Sequence, residues 1–216
     1  MISSGQVVSQ EGEGDPPPPQ DQRVEVYDNH IYFYREVTEQ SCLSLIRTLQ
    51  EVDSRLSSER RDRRLYGTGL ADSTPICLHI HSEGGDLFPA LAVADHITQL
   101  QTPVHSVIEG IGASAATLLS MACHRRYIMS RGFVLIHQFS GDLWGTYEQM
   151  KDRMNLSDMI IETLVDFYTE HSSMGVAEVR SALQRDSWFN AKQALEKGIV
   201  DQVLVGLRVV PESQDG

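Results

Sequence analysis

Ser114 stands in the run I-E-G-I-G-A-S-A-A-T-L-L, residues 108–119, between Gly112-Ala113 and Ala115-Ala116. Residues this small let a main chain approach a reacting group closely. A serine at a strand-to-helix turn also has the unpaired N–H groups of the helix start beside it, so a developing oxyanion finds donors there. The same position suits a plain helix cap, and the run by itself is compatible with both. A serine nucleophile needs a base, and the base needs an orienting acid. His137 closes the apolar stretch F-V-L-I-H and would lie at a strand end, where it serves either as a base or as a hydrogen-bonded histidine at a sheet edge. No Asp or Glu lies between Ser114 and His137, so an acid serving His137 must follow it or come well before Ser114. That excludes the Ser–acid–His order of α/β-hydrolases unless the base is His171. His79 and His81 have same-face strand spacing and could hold a metal, but no third ligand is evident; they read as exposed-face or rim residues. His171 reads as a partner for the end of a long helix.

The elements that must position these groups follow from periodicity. V-E-V-Y-D-N-H-I-Y-F-Y reads as two short strands around an Asp-Asn turn. Cys42, Leu45, Ile46, Leu49 and Val52 recur at helical spacing, which predicts a helix from about Thr38 to Arg55. The charged run S-S-E-R-R-D-R-R, residues 57–64, reads as a solvated loop continuing to Pro75. Beyond Pro75, strands alternate with helices: I-C-L-H-I-H, a helix over Leu87–Leu100, V-H-S-V-I-E, a helix over Ser114–Cys123, then R-Y-I-M and F-V-L-I-H. This alternation predicts an α/β fold with a mostly parallel sheet and helices on its faces. Two glycine turns, Gly84-Gly85 and Gly110-Ile111-Gly112, are expected at strand carboxyl ends, where such folds bind ligands. A long helix is predicted from Tyr147 to about His171, long enough to protrude and pack on another subunit. Short helices follow over 176–184 and 191–197, Gly198 suits a cap, and I-V-D-Q-V-L-V closes the domain as a strand.

The chain has 216 residues and a formal net charge of −12. Such an acidic balance argues against nucleic acid and against anionic membranes as partners. Cys42, Cys77 and Cys123 are odd in number and widely spaced, which predicts buried thiols in a reducing, cytoplasm-like compartment. No apolar stretch reaches membrane-spanning length, and M-I-S-S-G-Q has no signal-peptide pattern. Residues 1–22, with E-G-E-G-D-P-P-P-P-Q, are expected to be a disordered tail or propeptide, and 207–216 a C-terminal tail.

Four motifs in order carry a resemblance. I-H-S-E-G-G-D (80–86), G-I-G-A-S-A-A (110–116), V-L-I-H-Q-F (134–139) and Q-R-D-S-W-F-N-A-K-Q-A-L-E-K-G-I-V-D (184–201) resemble the motifs of the Clp protease proteolytic-subunit (ClpP) family. The likeness runs from about Val24 to Leu204. It implies a crotonase-like α/β core of repeated β-β-α units over 23–206, with a protruding handle (strand plus long helix) at about 138–171. It implies Ser114 as nucleophile, His137 as general base, Asp186 as orienting acid, and the backbone N–H groups of Gly85 and Ala115 as oxyanion hole. It further implies a serine endopeptidase degrading unfolded polypeptides, heptameric rings stacked as a tetradecamer, and an ATP-driven AAA+ unfoldase as partner. No G-x-x-x-x-G-K-[ST] motif is present, so no cofactor is expected in this chain and ATP would be handled by the partner.

The chain departs from the family pattern at His81 and Glu83 in the first motif, at Glu109, at Phe139 after His-Gln, and at Ser187, where the family often has arginine. Three other readings stand beside the endopeptidase. One is a non-catalytic assembly subunit and another a dedicated processing peptidase. The third is an acyl-CoA hydratase-like enzyme on the same core, for which Glu83 and Glu109 would be the carboxylates. Fold alone does not separate them.

Overall fold

The computed structural model describes residues 24–66, 74–140, 144–205 and 208–209. The expected tail over 1–22 lies outside these residues, as does most of 207–216.

Strands β1 (Glu25–Tyr27) and β2 (His30–Phe33) form an antiparallel hairpin. Its two-residue turn puts Asp28 at φ 53°, a conformation Asp tolerates better than most residues. Helix α1 runs over Glu39–Tyr66, one unbroken span of 28 residues. The loop expected over 57–64 is therefore helical. Its Glu and Arg residues are good helix formers, Val52 and Leu56 keep the buried stripe going, and Arg55 pairs with Glu59 one turn on at 3.1 Å. Arg60 ties this part of the helix to Thr102 at 3.0 Å. Charge alone did not distinguish a solvated helix face from a loop.

Strand β3 (Ile76–Ser82), helix α2 (Leu87–Gln99), strand β4 (Val104–Ala113), helix α3 (Ala115–Met121), strand β5 (Arg125–Met129) and strand β6 (Phe133–Ile136) follow in order. Helices α4 (Tyr147–Glu170) and α5 (Val176–Leu183), strand β7 (Ser187–Asn190), helix α6 (Ala191–Glu196) and strands β8 (Gln202–Val205) and β9 (Arg208–Val209) complete the described chain. Strands β2, β3, β4, β5 and β8 lie parallel side by side. Alternate residues of these strands, such as Ile31, Leu78, Ile80 and Ile108, are buried under α1, α2 and α3. Each such side chain contributes about 1.5–3 kcal/mol by leaving water. The residues between them, His30, Tyr32, His79 and Glu109 among others, lie on the opposite, half-exposed face. There the helices cover one face rather than both.

The turn expected at Gly110-Ile111-Gly112 is absent. Strand β4 continues through it to Ala113 and changes neighbours, pairing β5 up to Ile108 and β6 from Ile111. Gly110 makes the change possible: its φ is +85°, and a Cβ there would meet the His81 ring at 2.8 Å. Strand β7, which periodicity missed, pairs antiparallel with β6. The long helix, the two short ones and the left-handed Gly198 cap appear where expected.

Candidate active site

Three strand ends converge on one point. Ser114 lies between the end of β4 and the start of α3, and its N–H donates to the carbonyl of Leu135 on β6 at 2.9 Å. His137 follows the last residue of β6. Asp186 precedes the first residue of β7, and the antiparallel register Ile136–Ser187, extended by one step, sets Asp186 beside His137. The short strand β7 is thus what carries Asp186 to His137.

Ser114 has φ 54° and ψ −128°. A non-glycine residue held there costs on the order of 1–3 kcal/mol and persists only where its surroundings over-determine it. Its carbonyl accepts from the N–H of Thr117 at 3.0 Å and from the Thr117 hydroxyl at 2.7 Å. Its own side chain makes no capping hydrogen bond to α3, so the cap left open by the sequence is not what this serine does. Its Oγ instead lies 2.8 Å from Nε2 of His137. On the other side of the imidazole, Nδ1 is 3.6 Å from the Asp186 carboxylate. That is an ion-pair distance and longer than a hydrogen bond. The Asp186 side chain is 76% exposed against 30% for His137, so water competes for the carboxylate.

Gly85 lies across the cleft, bridged to Val37: the carbonyl of Gly84 accepts from Val37, and Asp86 N–H donates to Val37. Neither Gly85 N–H nor Ala115 N–H, the first of helix α3, has an acceptor among the described residues. A cavity of about 300 Å³ opens beside Ser114 and His137. Its walls include Leu118, Phe139, Ile160, Leu164 and Tyr168, so a residue that departs from the family pattern, Phe139, forms part of the cleft.

The remaining titratable groups do other things. Burial pushes the Cys42 thiol up to about 11 and the Cys123 thiol to about 12. Neither supplies a thiolate nucleophile near neutral pH. All three cysteines are free, although Cys77 is half-buried rather than buried. His79 donates from Nδ1 to the Glu109 carboxylate at 2.9 Å and shares a hydrogen bond of 2.9 Å with His30 through Nε2, and Tyr34 donates to the same carboxylate. His81 is exposed and bonds the Glu109 carbonyl at 2.7 Å. Among the described residues no cluster of three such side chains could hold a metal ion. Glu109 is committed to this network on the far face of the sheet. His171 caps α4, its N–H donating to Phe167 at 3.1 Å. Thr117 and Tyr168 were not anticipated as site residues; nothing in their spacing distinguishes them from ordinary core positions.

A sequence model of the Clp protease family matches residues 28–206. The chain belongs to the Clp protease family. It is 30% identical over 158 residues to the ATP-dependent Clp protease proteolytic subunit 1 of Protochlamydia amoebophila, covering 71% of this chain and 76% of that protein. It is 29% identical over 180 residues to the subunit 1 of Chlamydia muridarum, covering 81% and 85% of the two. With the subunit 2 of Thermobifida fusca it shares 27% over 157 residues, covering 72% and 77%. The fold is that of this family, a mixed α/β core with a long helix leaving it after β6. No helix among the described residues is long and apolar enough to cross a membrane.

Proposed function

We propose that this Clp-family protease is a serine endopeptidase in which Ser114 is the nucleophile, His137 the general base and Asp186 the orienting acid. The observation that carries this is the 2.8 Å contact from Ser114 Oγ to His137 Nε2 at a strained strand-to-helix turn. His137 Nε2 takes the Ser114 proton as Oγ attacks the substrate carbonyl. The oxygen gains negative charge and faces the N–H groups of Gly85 and Ala115. The imidazolium then gives its proton to the leaving amine, and water repeats the sequence to release the acyl group. Leu118, Ile160 and Leu164 would receive an apolar side chain ahead of the cut bond. The nucleophile, base, acid and oxyanion donors of this mechanism all come from the chain, and water supplies the second nucleophile. No observation favours the hydratase-like alternative: Glu109 is held by His79 and Tyr34 on the far face of the sheet, and Glu83 is exposed and not among the residues lining the cavity. Labelling with a fluorophosphonate and mapping the modified peptide tests the assignment: the label is expected on Ser114. Its appearance elsewhere, or nowhere, overturns the nucleophile.

The acid should matter less than in a closed triad. Removing the charge of a buried, hydrogen-bonded aspartate from such a triad costs about 10⁴ in kcat. At 3.6 Å and mostly in water, the Asp186→Asn change is expected to cost roughly ten- to a hundredfold. Steady-state kinetics of the variant read this directly. A loss as large as the buried case would mean that Asp186 closes onto His137 in the working enzyme.

The same reading extends to assembly. Tyr147, Met154, Leu156 and Met159, on the earlier part of α4, are exposed in the single chain, and several large apolar side chains left uncovered on one helix fit a protein interface. Heptameric rings stacked through these helices into a tetradecamer would cover it. An AAA+ unfoldase would consume the ATP that the relatives' names imply and feed unfolded chains to the chamber. Three free thiols fit a reducing compartment such as the cytoplasm. Light scattering is expected to give a particle many times the 24.2 kDa of one chain; a monomer at working concentration counts against the rings.

A further inference from the structure

Next to Ser114, where α4 packs against the start of α3 at the wall of the cleft, two buried hydroxyls touch. Thr117 is 1% exposed and Tyr168 3%. Their oxygens lie 2.5 Å apart, and the Thr117 oxygen is 2.7 Å from the Ser114 carbonyl. The direction of the protons follows from the donors available. A carbonyl only accepts, so the single Thr117 proton goes to Ser114, and the Tyr168 phenol donates to Thr117. The chain Tyr168 → Thr117 → Ser114 therefore runs one way.

Its end point is the important part. The carbonyl of Ser114 and the N–H of Ala115 belong to one planar trans peptide and point in opposite directions. Gripping the carbonyl from one side aims the N–H to the other, toward the cleft. The carbonyl is gripped twice, by the main-chain N–H of Thr117 at 3.0 Å and by its hydroxyl. Donation into a carbonyl also polarises the N–H of the same peptide, which strengthens it as a donor. Tyr168 lies on α4, so the long helix reaches the catalytic peptide through this contact.

We propose that Thr117 and Tyr168 are positioning residues that set the orientation and donor strength of Ala115 N–H in the oxyanion hole. This rests on Ser114 being the nucleophile. Burial pushes the Tyr168 phenol up to about 12, with the Thr117 bond drawing it partly back, so the relay keeps its proton across the working pH range. A pair that merely filled the core would affect folding and leave the turnover of the folded enzyme unchanged.

The test compares Thr117→Val, which keeps the shape, Tyr168→Phe, which keeps the ring, and Thr117→Ser, which keeps the hydroxyl. Each is assayed for fluorophosphonate acylation rate, for kcat and KM on an apolar peptide, and for melting temperature. Thr117→Val and Tyr168→Phe are each expected to lower kcat and the acylation rate by roughly tenfold, the effect of one lost hydrogen bond in the transition state. KM should stay within about twofold, and the pH midpoint of kcat should not move, because the relay does not touch His137. Thr117→Ser should restore most of the rate, and the double variant should be little worse than Thr117→Val alone, because the relay is a single chain. Unchanged acylation in folded Thr117→Val and Tyr168→Phe overturns the proposal, as does a rise in KM with kcat intact, which would make the pair a pocket wall. If wild-type Ser114 takes no label while the variants behave alike, the nucleophile assignment has failed first and the relay falls with it.

Discussion

Replacing Ser114 by alanine is expected to reduce peptide hydrolysis by at least about 10⁴-fold, the scale on which a serine nucleophile acts together with its histidine. The variant loses one oxygen atom and nothing that holds the turn. The pins on Ser114 are its N–H to Leu135 and its carbonyl to Thr117, both main-chain groups of residue 114 that alanine retains. The melting temperature should therefore stay close to wild type, or rise slightly. Activity and folding separate cleanly in this variant. Residual turnover within tenfold of wild type would remove Ser114 from the mechanism. An inactive but unfolded protein would show instead that the hydroxyl serves the turn.

Adding a single methyl group at Gly85 is expected to cost roughly 10²–10³ in kcat, the loss associated with one oxyanion-hole donor. The reason is geometric. A Cβ at Gly85 would stand 2.1 Å from the Val37 carbonyl oxygen, and the residue sits at φ +142°, where L side chains are strained. Backbone cannot yield there as a flexible side-chain tip would, because Val37 is tied at 2.8 Å to Gly84 and at 2.7 Å to Asp86. The 84–86 segment must move, and the Gly85 N–H moves with it. Gly85→Ala should also lower the melting temperature by a few degrees. Kinetics measured well below that melting point decide the matter: kcat near wild type in folded Gly85→Ala would take Gly85 N–H out of the reaction.

The sequence made the strands and helices around the cleft legible because each carries its own period. The alternation of Ile76, Leu78 and Ile80, and the helical recurrence of Leu45, Leu49 and Val52, survive in the structure as buried faces. What periodicity missed has specific physical causes. The run 57–64 is helical because a charged residue suits an exposed helix face as well as a loop, and only the buried Leu56 and the Arg60–Thr102 contact discriminate. Gly110 and Gly112 looked like a turn, yet they sit inside β4, where the absence of a side chain admits His81 and lets the strand change partners. Strand β7 has four residues and takes its conformation from β6 across from it, a non-local pairing with no local signature. At the site, Ser114 and His137 could be picked out from residue type and position at strand ends. Asp186 entered through the family likeness alone, since its place depends on the register of β7. Thr117 and Tyr168 meet across 51 positions of sequence, and no local pattern announces such a contact.

Helix α4 ties two of these features together. Its later turns supply Leu164 and Tyr168 to the cleft, and its earlier turns expose Tyr147, Met154 and Met159. A helix is cooperative along its length, so the wall of the substrate cavity borrows order from whatever covers the far end. By mass action, anything that binds the ordered form holds it in place in proportion to its concentration. Where that cover is a second copy of this chain, as the proposed rings require, the catalytic rate per chain becomes a function of how much protein is present. Dilution would lower it before any residue at the cleft had changed.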